Sequence, residues 1–287
     1  MKKITILAIL LSLSAVIKAQ KAVLFKHKIL PNHTYVLADK QGFDLDVTPR
    51  DTATVKDTTN KNIVKTVQMR SLMESGVAIK TTQATGSQNI PVMLTCNKMS
   101  SKMTVNGADY PIPPNNPAVG QSSNGQIDAE LKMLVDTTVA TQEVKQAVNA
   151  AIGAMPKKIK FPDKKMKIGD SFMQEEVITS FDIPGLDPNK EYTMKVTYKL
   201  TAIKDNLAYF DTQSEFEMNF NTEIKSHTIG IKCKGSEAGK MVFDVKKAFP
   251  QSVTSDTNMV VNIDSDKTKV DMQAKISRDQ QFIVSAN

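Results

Sequence analysis

Apolar and polar residues alternate strictly along much of this chain. From Tyr192 to Ala202, Tyr192, Met194, Val196, Tyr198, Leu200 and Ala202 alternate with Thr193, Lys195, Thr197, Lys199 and Thr201. A period of two places one set on one face of an extended strand and the other set on the opposite face. The run predicts a long strand with a dry face and a wet one. Lys204-Asp205-Asn206 is turn chemistry, and the alternation resumes from Leu207 through Phe216, Met218 and Phe220, which predicts a hairpin. Shorter runs of the same kind follow at Ile229–Cys233, Met241–Val245, Met259–Ile263, Val270–Ile276 and Phe282–Val284. Gly235, Gly239, Pro250 and Asp264-Ser265-Asp266 read as the turns that divide them. Half-polar alternation fits antiparallel strands with one solvated face, and it argues against a doubly wound nucleotide-binding fold.

The N-terminal half is similar but less regular, with strands expected around Val23–Ile29, Tyr35–Leu37, Val67–Met69, Val77–Ile79 and Val92–Cys96. Asp51 to Asn62 is rich in Thr, Asp and Lys and reads as a mobile hairpin loop. The prolines at 111, 113, 114 and 117, followed by the Gly/Ser stretch 120–125, read as a linker over 110–125. Beyond it, Ile127, Leu131, Leu134, Val135 and Val139, then Val144, Val148, Ala151, Ile152 and Met155, recur at helical spacing. Ser123 with Gln126 offers a capping box, and Gly153 and Pro156 mark the end. The expected class is therefore mainly β with an α+β element. A long antiparallel meander, with a half-barrel as one form it can take, wraps one central helical segment over 126–155, with β halves at 20–109 and 156–287 in one domain.

The start of the chain carries Lys2 and Lys3, an apolar run of about ten residues from Ile4 to Leu13, and Lys18-Ala19-Gln20. This is the three-part secretory signal pattern, with cleavage expected after Ala19. The run is shorter than the roughly 20 residues a transmembrane helix needs. The first cysteine is Cys96, so no lipoprotein cysteine stands at the cut. Export to the periplasm or the exterior is expected, with the protein at most peripheral to a membrane. Cys96 and Cys233 are the only thiols; after export they can pair as a disulfide or remain two core thiols, and both readings stand.

The full chain is 287 residues with a net charge of +7. Loss of Lys2, Lys3 and Lys18 takes the basic count from 37 to 34 against 30 acids, a net +4. The basic residues are dispersed and only Arg50, Arg70 and Arg278 are arginines, so nucleic-acid binding is poorly supported. Three histidines, His27, His33 and His227, show no metal-ligand spacing, and no cofactor is implied. No nucleophile elbow occurs, 235–240 lacks phosphate-loop spacing, and Glu175-Glu176 are adjacent on a strand, which points them to opposite faces. A non-catalytic protein is expected. Three Asp-Thr triplets, at 51, 57 and 136, are similar to an O-glycosylation pattern of exported Bacteroidota proteins, though a threonine-rich chain produces such triplets by chance.

Phe161-Pro162-Asp163 leading to Gly169-Asp170-Ser171-Phe172 resembles a central segment of a domain-of-unknown-function family of exported Bacteroidota proteins. The opening strand from Leu24-Phe25 to Tyr35 and the late Gly239–Asp244 element match the same outline, with Phe172 standing where the family pattern has tryptophan. The resemblance implies an exported, strand-rich protein; the family has no established activity to carry over.

The dry faces are rich in methionine, which adapts to irregular ligands. The candidate ligand-binding set is Met194, Tyr198, Phe216, Met218, Met241, Phe243 and Met272. The partner expected there is an apolar small molecule or lipid, bound by a non-catalytic module. The plan is similar in fold alone to half-barrel lipoprotein carriers. The alternative is a structural or interaction component that binds an envelope protein.

Overall fold

A computed structural model describes residues 22–50, 66–83, 89–112, 117–136, 158–178, 192–224, 227–265 and 269–287, with isolated positions between 145 and 156. The side chains of 177, 178, 192, 222–224 and 227 are also left aside. The described strands form one antiparallel sheet of twelve. They are β1 (His33–Pro49), β2 (Val67–Thr81), β3 (Ile90–Val105), β4 (Ala108–Tyr110), β5 (Ser122–Ile127), β6 (Met133–Val135) and β7 (Ser171–Ile178). The remainder are β8 (Tyr192–Lys204), β9 (Leu207–Ile224), β10 (His227–Asp244), β11 (Phe249–Ser265) and β12 (Lys269–Ala286). Their order across the sheet is β6-β5-β3-β2-β1-β12-β11-β10-β9-β8-β7, with β4 beside β3. The first and last strands pair along their whole length at the middle of the sheet, from His33 opposite Ala286 to Pro49 opposite Val270.

The alternation seen in the sequence becomes two faces. Residues 193 to 200 change from exposed to covered at every step, and Leu200 is completely buried. Asp205 and Asn206 both take positive φ, 48° and 65°, in the two-residue turn joining β8 to β9. That conformation matches the twist of paired strands. The outer face carries cross-strand charge ladders. One runs Glu74, Lys40, Asp279, Thr254, Lys240, Asp211, Lys199 across seven strands. Exposed pairs of this kind add little stability, but a one-residue slip would bring every charge to the wrong face and partner.

On the inner face the apolar residues form three clusters. The first joins Tyr35, Leu37, Val77, Ile79, Leu94, Phe282 and Val284 to Ile29 and Val148. The second joins Val196, Leu200, Phe210, Met241 and Phe243 to Phe25, Ile159 and Met166. The third, at the far end of the strands, contains Leu45, Met218, Ile231, Cys233, Met259, Val261 and Ala274. The first two clusters are covered by two stretches outside the sheet, 22–30 and 152–168. Phe25, Phe161, Phe210 and Phe243 lock these stretches to the strands through ring contacts of 5.0–6.1 Å.

Strands β6 and β7 do not pair, so the sheet is open. Its edges are nonetheless linked by one residue. The Lys158 carbonyl accepts from Gln174 Nε2 on β7 at 3.0 Å. The same residue's Nζ donates to the Ala129 carbonyl and pairs with Glu130, at 2.7 and 3.0 Å, in the turn between β5 and β6. A lysine side chain therefore spans the gap, and the sheet must curl for its two borders to come so close.

Several expectations are corrected. Gly235 and Gly239 do not divide strands: both lie inside β10, which runs unbroken through 18 residues. Glycine is required there by close approach, since a Cβ at 235 would strike the Phe216 ring and one at 239 the Thr254 carbonyl. Pro250 likewise belongs to β11. The expected helix over 126–155 does not hold for its first part: Ile127 ends β5, Leu134 and Val135 belong to β6, and Leu131 lies in the turn between them; of its second part only isolated positions are described, and Lys145, Val148, Ile152 and Gly153 among them are helical. The apolar residues of the first part match helical spacing because a short strand, a turn and another strand return to the same face at similar intervals. Residues 137–151 lie mostly outside the described part. Ser122–Gly125 of the expected linker is strand, pairing β3 on one side and β6 on the other. Val23–Ile29 is extended and packs on the sheet through its side chains, and its β-pairing is an isolated bridge from Val23 to Met166. The expected loop at 51–62 lies outside the described residues.

Leu200→Ala removes a side chain with no solvent exposure from the second cluster. It should cost about 2–5 kcal/mol, seen as a lower urea midpoint, whereas Lys199→Ala on the outer face should leave the midpoint nearly unchanged.

Candidate functional site

The inner face is not apolar throughout. Between the first two clusters and the third lies a polar band, placed by the same alternation that builds the core. On β1, Asp39 and Gln41 take the face held by Leu37 before them and Phe43 after them. On β12 their partners are Gln280 and Arg278, and on β11 Ser255 and Thr257 lie in the same zone. Gly239 and Glu237 follow on β10, then Thr212 and Ser214 on β9. Glu176 on β7 completes the band.

These small or polar residues leave a cleft of about 330 Å³ beneath the strap at Gly153, Met155, Pro156 and Ile159. Its walls are Met194, Val196, Phe216, Met241, Val253 and Ile276. Its floor is polar: Gln41, Glu176, Tyr198, Thr212, Glu237, Ser255, Thr257, Arg278 and Gln280.

The polar groups are organised. Arg278 binds Asp39 with two parallel bonds, Nε to Oδ1 at 3.0 Å and Nη2 to Oδ2 at 3.2 Å, and the Asp39 side chain is only 9 % exposed. Such a bidentate pair fixes both planes. Tyr198 donates its hydroxyl to Glu176 at 2.7 Å, and Thr257 donates to Glu237 at 3.0 Å. Phe172 stacks on Tyr198 at 4.9 Å and 6°, which orients the phenol. Burial first, then the Glu176 carboxylate, its hydrogen bond with the hydroxyl, and the Glu237 carboxylate raise the Tyr198 pKa, so the phenol keeps its proton.

The strap over the cleft is held from below by His27. Its Nδ1 accepts the Ile159 N–H at 2.9 Å, and its ring stands edge-on to Phe243 and Phe249. The proton must then sit on Nε2, which finds no hydrogen-bond partner. Burial, with a smaller contribution from the charge of Lys158, lowers the His27 pKa to about 3. Gln174 adds two bonds to the strap, to the Lys158 carbonyl and from the Lys160 N–H.

Of the seven candidate ligand residues, Met194, Tyr198, Phe216 and Met241 line this cleft. Phe243 is fully buried in the second cluster, Met218 is buried in the third, and Met272 packs at its margin. The alternation singled out the apolar walls and missed the polar floor, although the floor left a signal: residues such as Asp39, Arg278 and Thr212 fall on the apolar phase of their strands. Cys96 and Cys233 are free and buried. Four strands separate β3 from β10, and no bridge joins the two thiols in this structure. Burial raises both thiol pKa values, that of Cys233 to about 11. No group of three His, Cys, Asp or Glu side chains among the described residues is placed to hold a metal ion. No helix among them is long and apolar enough to cross a membrane.

No family model and no curated protein matches this chain. Among solved structures, one of lipovitellin and its lipid–protein interactions aligns with a TM-score of 0.47 at 8 % identity, over 90 % of this chain and 26 % of that one. The chain therefore spans about a quarter of the lipovitellin chain. OpdQ of Pseudomonas aeruginosa aligns with a TM-score of 0.24 at 5 % identity, over 88 % of this chain and 99 % of that one. Both likenesses are too distant to bear on the site.

Below pH 6.5 the unfolded chain takes up a proton that folded His27 refuses until about pH 3. Stability present above pH 6.5 should therefore fall by about 2 kcal/mol between pH 7 and pH 5 from this group alone. In His27→Asn, which keeps an acceptor for Ile159, that slope should flatten in urea titrations across the same window.

Proposed function

We propose that this protein is an exported, non-catalytic binding module that holds an amphipathic small molecule, such as a lipid, between its curled sheet and the strap. The observation that carries the reading is the cleft itself: apolar walls of Met155, Met194, Phe216, Met241 and Ile276 stand over a floor of ordered polar groups. Its volume lies at the lower end of the range of ligand pockets, and apolar walls with a few placed polar groups are what such sites use. Three methionines supply wall surface that adjusts to an aliphatic ligand. Glu176, Glu237 and Arg278 of the floor are each held by a hydrogen-bonded partner, an arrangement suited to positioning the polar end of a ligand. The signal-like start at Lys2–Ala19 supports delivery outside the cytoplasm.

Filling the cleft is the test. Ser255 lies on the inner face at the cleft floor, so Ser255→Phe should occupy the space where a ligand lies. Binding of Nile red should weaken at least tenfold in that variant with little change in melting temperature. Ser236→Phe, on the exposed outer face of β10, should bind as the parent does. Protein from its own host that carries no extractable ligand and binds no apolar probe would overturn the reading.

A further inference from the structure

The two stretches that cover the sheet, 22–30 and 152–168, have an outward side as well as an inward one. Along the first, covered Val23, Phe25 and His27 alternate with exposed Ala22, Leu24, Lys26 and Lys28. A period of two turns the first set onto the strands and the second away from them. The other stretch is joined to it antiparallel, with Val23 and Met166 exchanging both backbone hydrogen bonds at 2.8 Å. Met166 is buried, so its neighbours Lys165 and Lys167 take the outward side with Leu24. Lys160 and Lys164 are exposed on the same stretch, and Ile168 stands 39 % exposed in the turn that follows.

This surface holds most of the charge surplus of the chain. The net charge is +7, and residues 22–30 and 158–170, described throughout, carry seven lysines against Asp163 and Asp170, which is five of those seven charges. The outer face of the sheet differs, because lysines there meet carboxylates across strands, as Lys195 meets Glu175 and Lys240 meets Asp211. No ion pair among the described residues engages Lys26, Lys28, Lys160, Lys164, Lys165 or Lys167. Six such ammonium groups on one side of a molecule draw it toward a polyanion in a fixed orientation.

The residues among the lysines select the polyanion. Nucleic-acid surfaces use arginine forks and stacking aromatic rings. Neither stretch contains an arginine, and Phe25 and Phe161 are turned inward onto Phe210 and Phe243. What accompanies the lysines outside is aliphatic: Leu24, 43 % exposed, and Ile168. Lysines that stay in water around aliphatic groups that leave it suit an anionic lipid interface. We propose that the outward face of these stretches docks the protein on the surface of an anionic bilayer, with the six lysines over the lipid phosphates and Leu24 and Ile168 in the head-group layer. The charge ladders of the sheet then face water.

The test is co-sedimentation of protein from its own host with phosphatidylcholine vesicles, plain or containing about one third phosphatidylglycerol. Affinity for the anionic vesicles should exceed that for plain ones at least tenfold, and it should fall as salt rises toward about 0.5 M. Lys26→Gln/Lys28→Gln/Lys165→Gln/Lys167→Gln should lose at least tenfold, and each half of that set should lose part. Lys195→Gln/Lys199→Gln/Lys234→Gln/Lys240→Gln, on the exposed outer face of the sheet, removes the same charge and should lose less than threefold. Every replaced side chain is exposed, so melting temperatures should stay near the parent's. Equal losses in the two quadruple variants would trace the binding to net charge alone and overturn the proposal. So would failure to bind anionic vesicles, equal affinity for plain ones, or tighter binding to a DNA duplex or to polyglutamate at the same salt. None of these outcomes bears on the cleft, whose own test is separate.

Discussion

An open sheet with an apolar inner face must cover that face, and here the cover is a strap whose position depends on residues 158 and 159. Lys158 bonds to β7 through its carbonyl and to the β5–β6 turn through its ammonium, so one residue holds both borders of the sheet. Ile159, next to it, is fixed to buried His27. The two sets of bonds have different characters. The Lys158–Glu130 pair is partly solvated and worth little in energy, whereas the His27 bond lies in an aromatic surround where a lost partner is costly. The curl of the sheet, the closure of two of the three apolar clusters and the roof of the cleft all follow from this attachment.

The cleft arises from the same geometry. Beneath most of the strap the sheet presents bulky apolar residues, which pack against it and leave no space. Beneath Gly153, Met155, Pro156 and Ile159 it presents Thr212, Glu237 and Ser255, which are too small or too polar to fill the gap. The glycines of β10 answer to close packing. At Gly235 the Phe216 ring approaches β10 closely, and at Gly239 the Thr254 carbonyl and the Thr212 hydroxyl do so.

The polar floor is stable because its groups satisfy one another. Asp39 with Arg278, Glu176 with Tyr198 and Glu237 with Thr257 form pairs across neighbouring or nearby strands, each charge meeting a donor. Burying any of them alone would be expensive. The arrangement also fixes the direction of the Tyr198 and Thr257 hydroxyls, each of which donates to a glutamate.

Alternation in the sequence determined the strands of the C-terminal half, their two faces and the β8–β9 turn, because a period of two is a local property that each strand carries by itself. It also marked the apolar walls at Met194, Phe216 and Met241. Strand neighbours across the middle of the sheet were not legible: β1 meets β12 from opposite ends of the chain, and no local pattern records a partner so far away. The glycines of β10 read as breaks because their reason for being there, a ring and a carbonyl pressed against the backbone, exists only once the strands are side by side. Ile127 to Val135 read as a helix because a strand, a turn and a strand can mimic helical spacing. The polar floor was visible only as interruptions of phase on separate strands. Tertiary structure decided that those interruptions fall side by side under one strap, since only register brings Asp39 to Arg278 and Glu237 to Thr257.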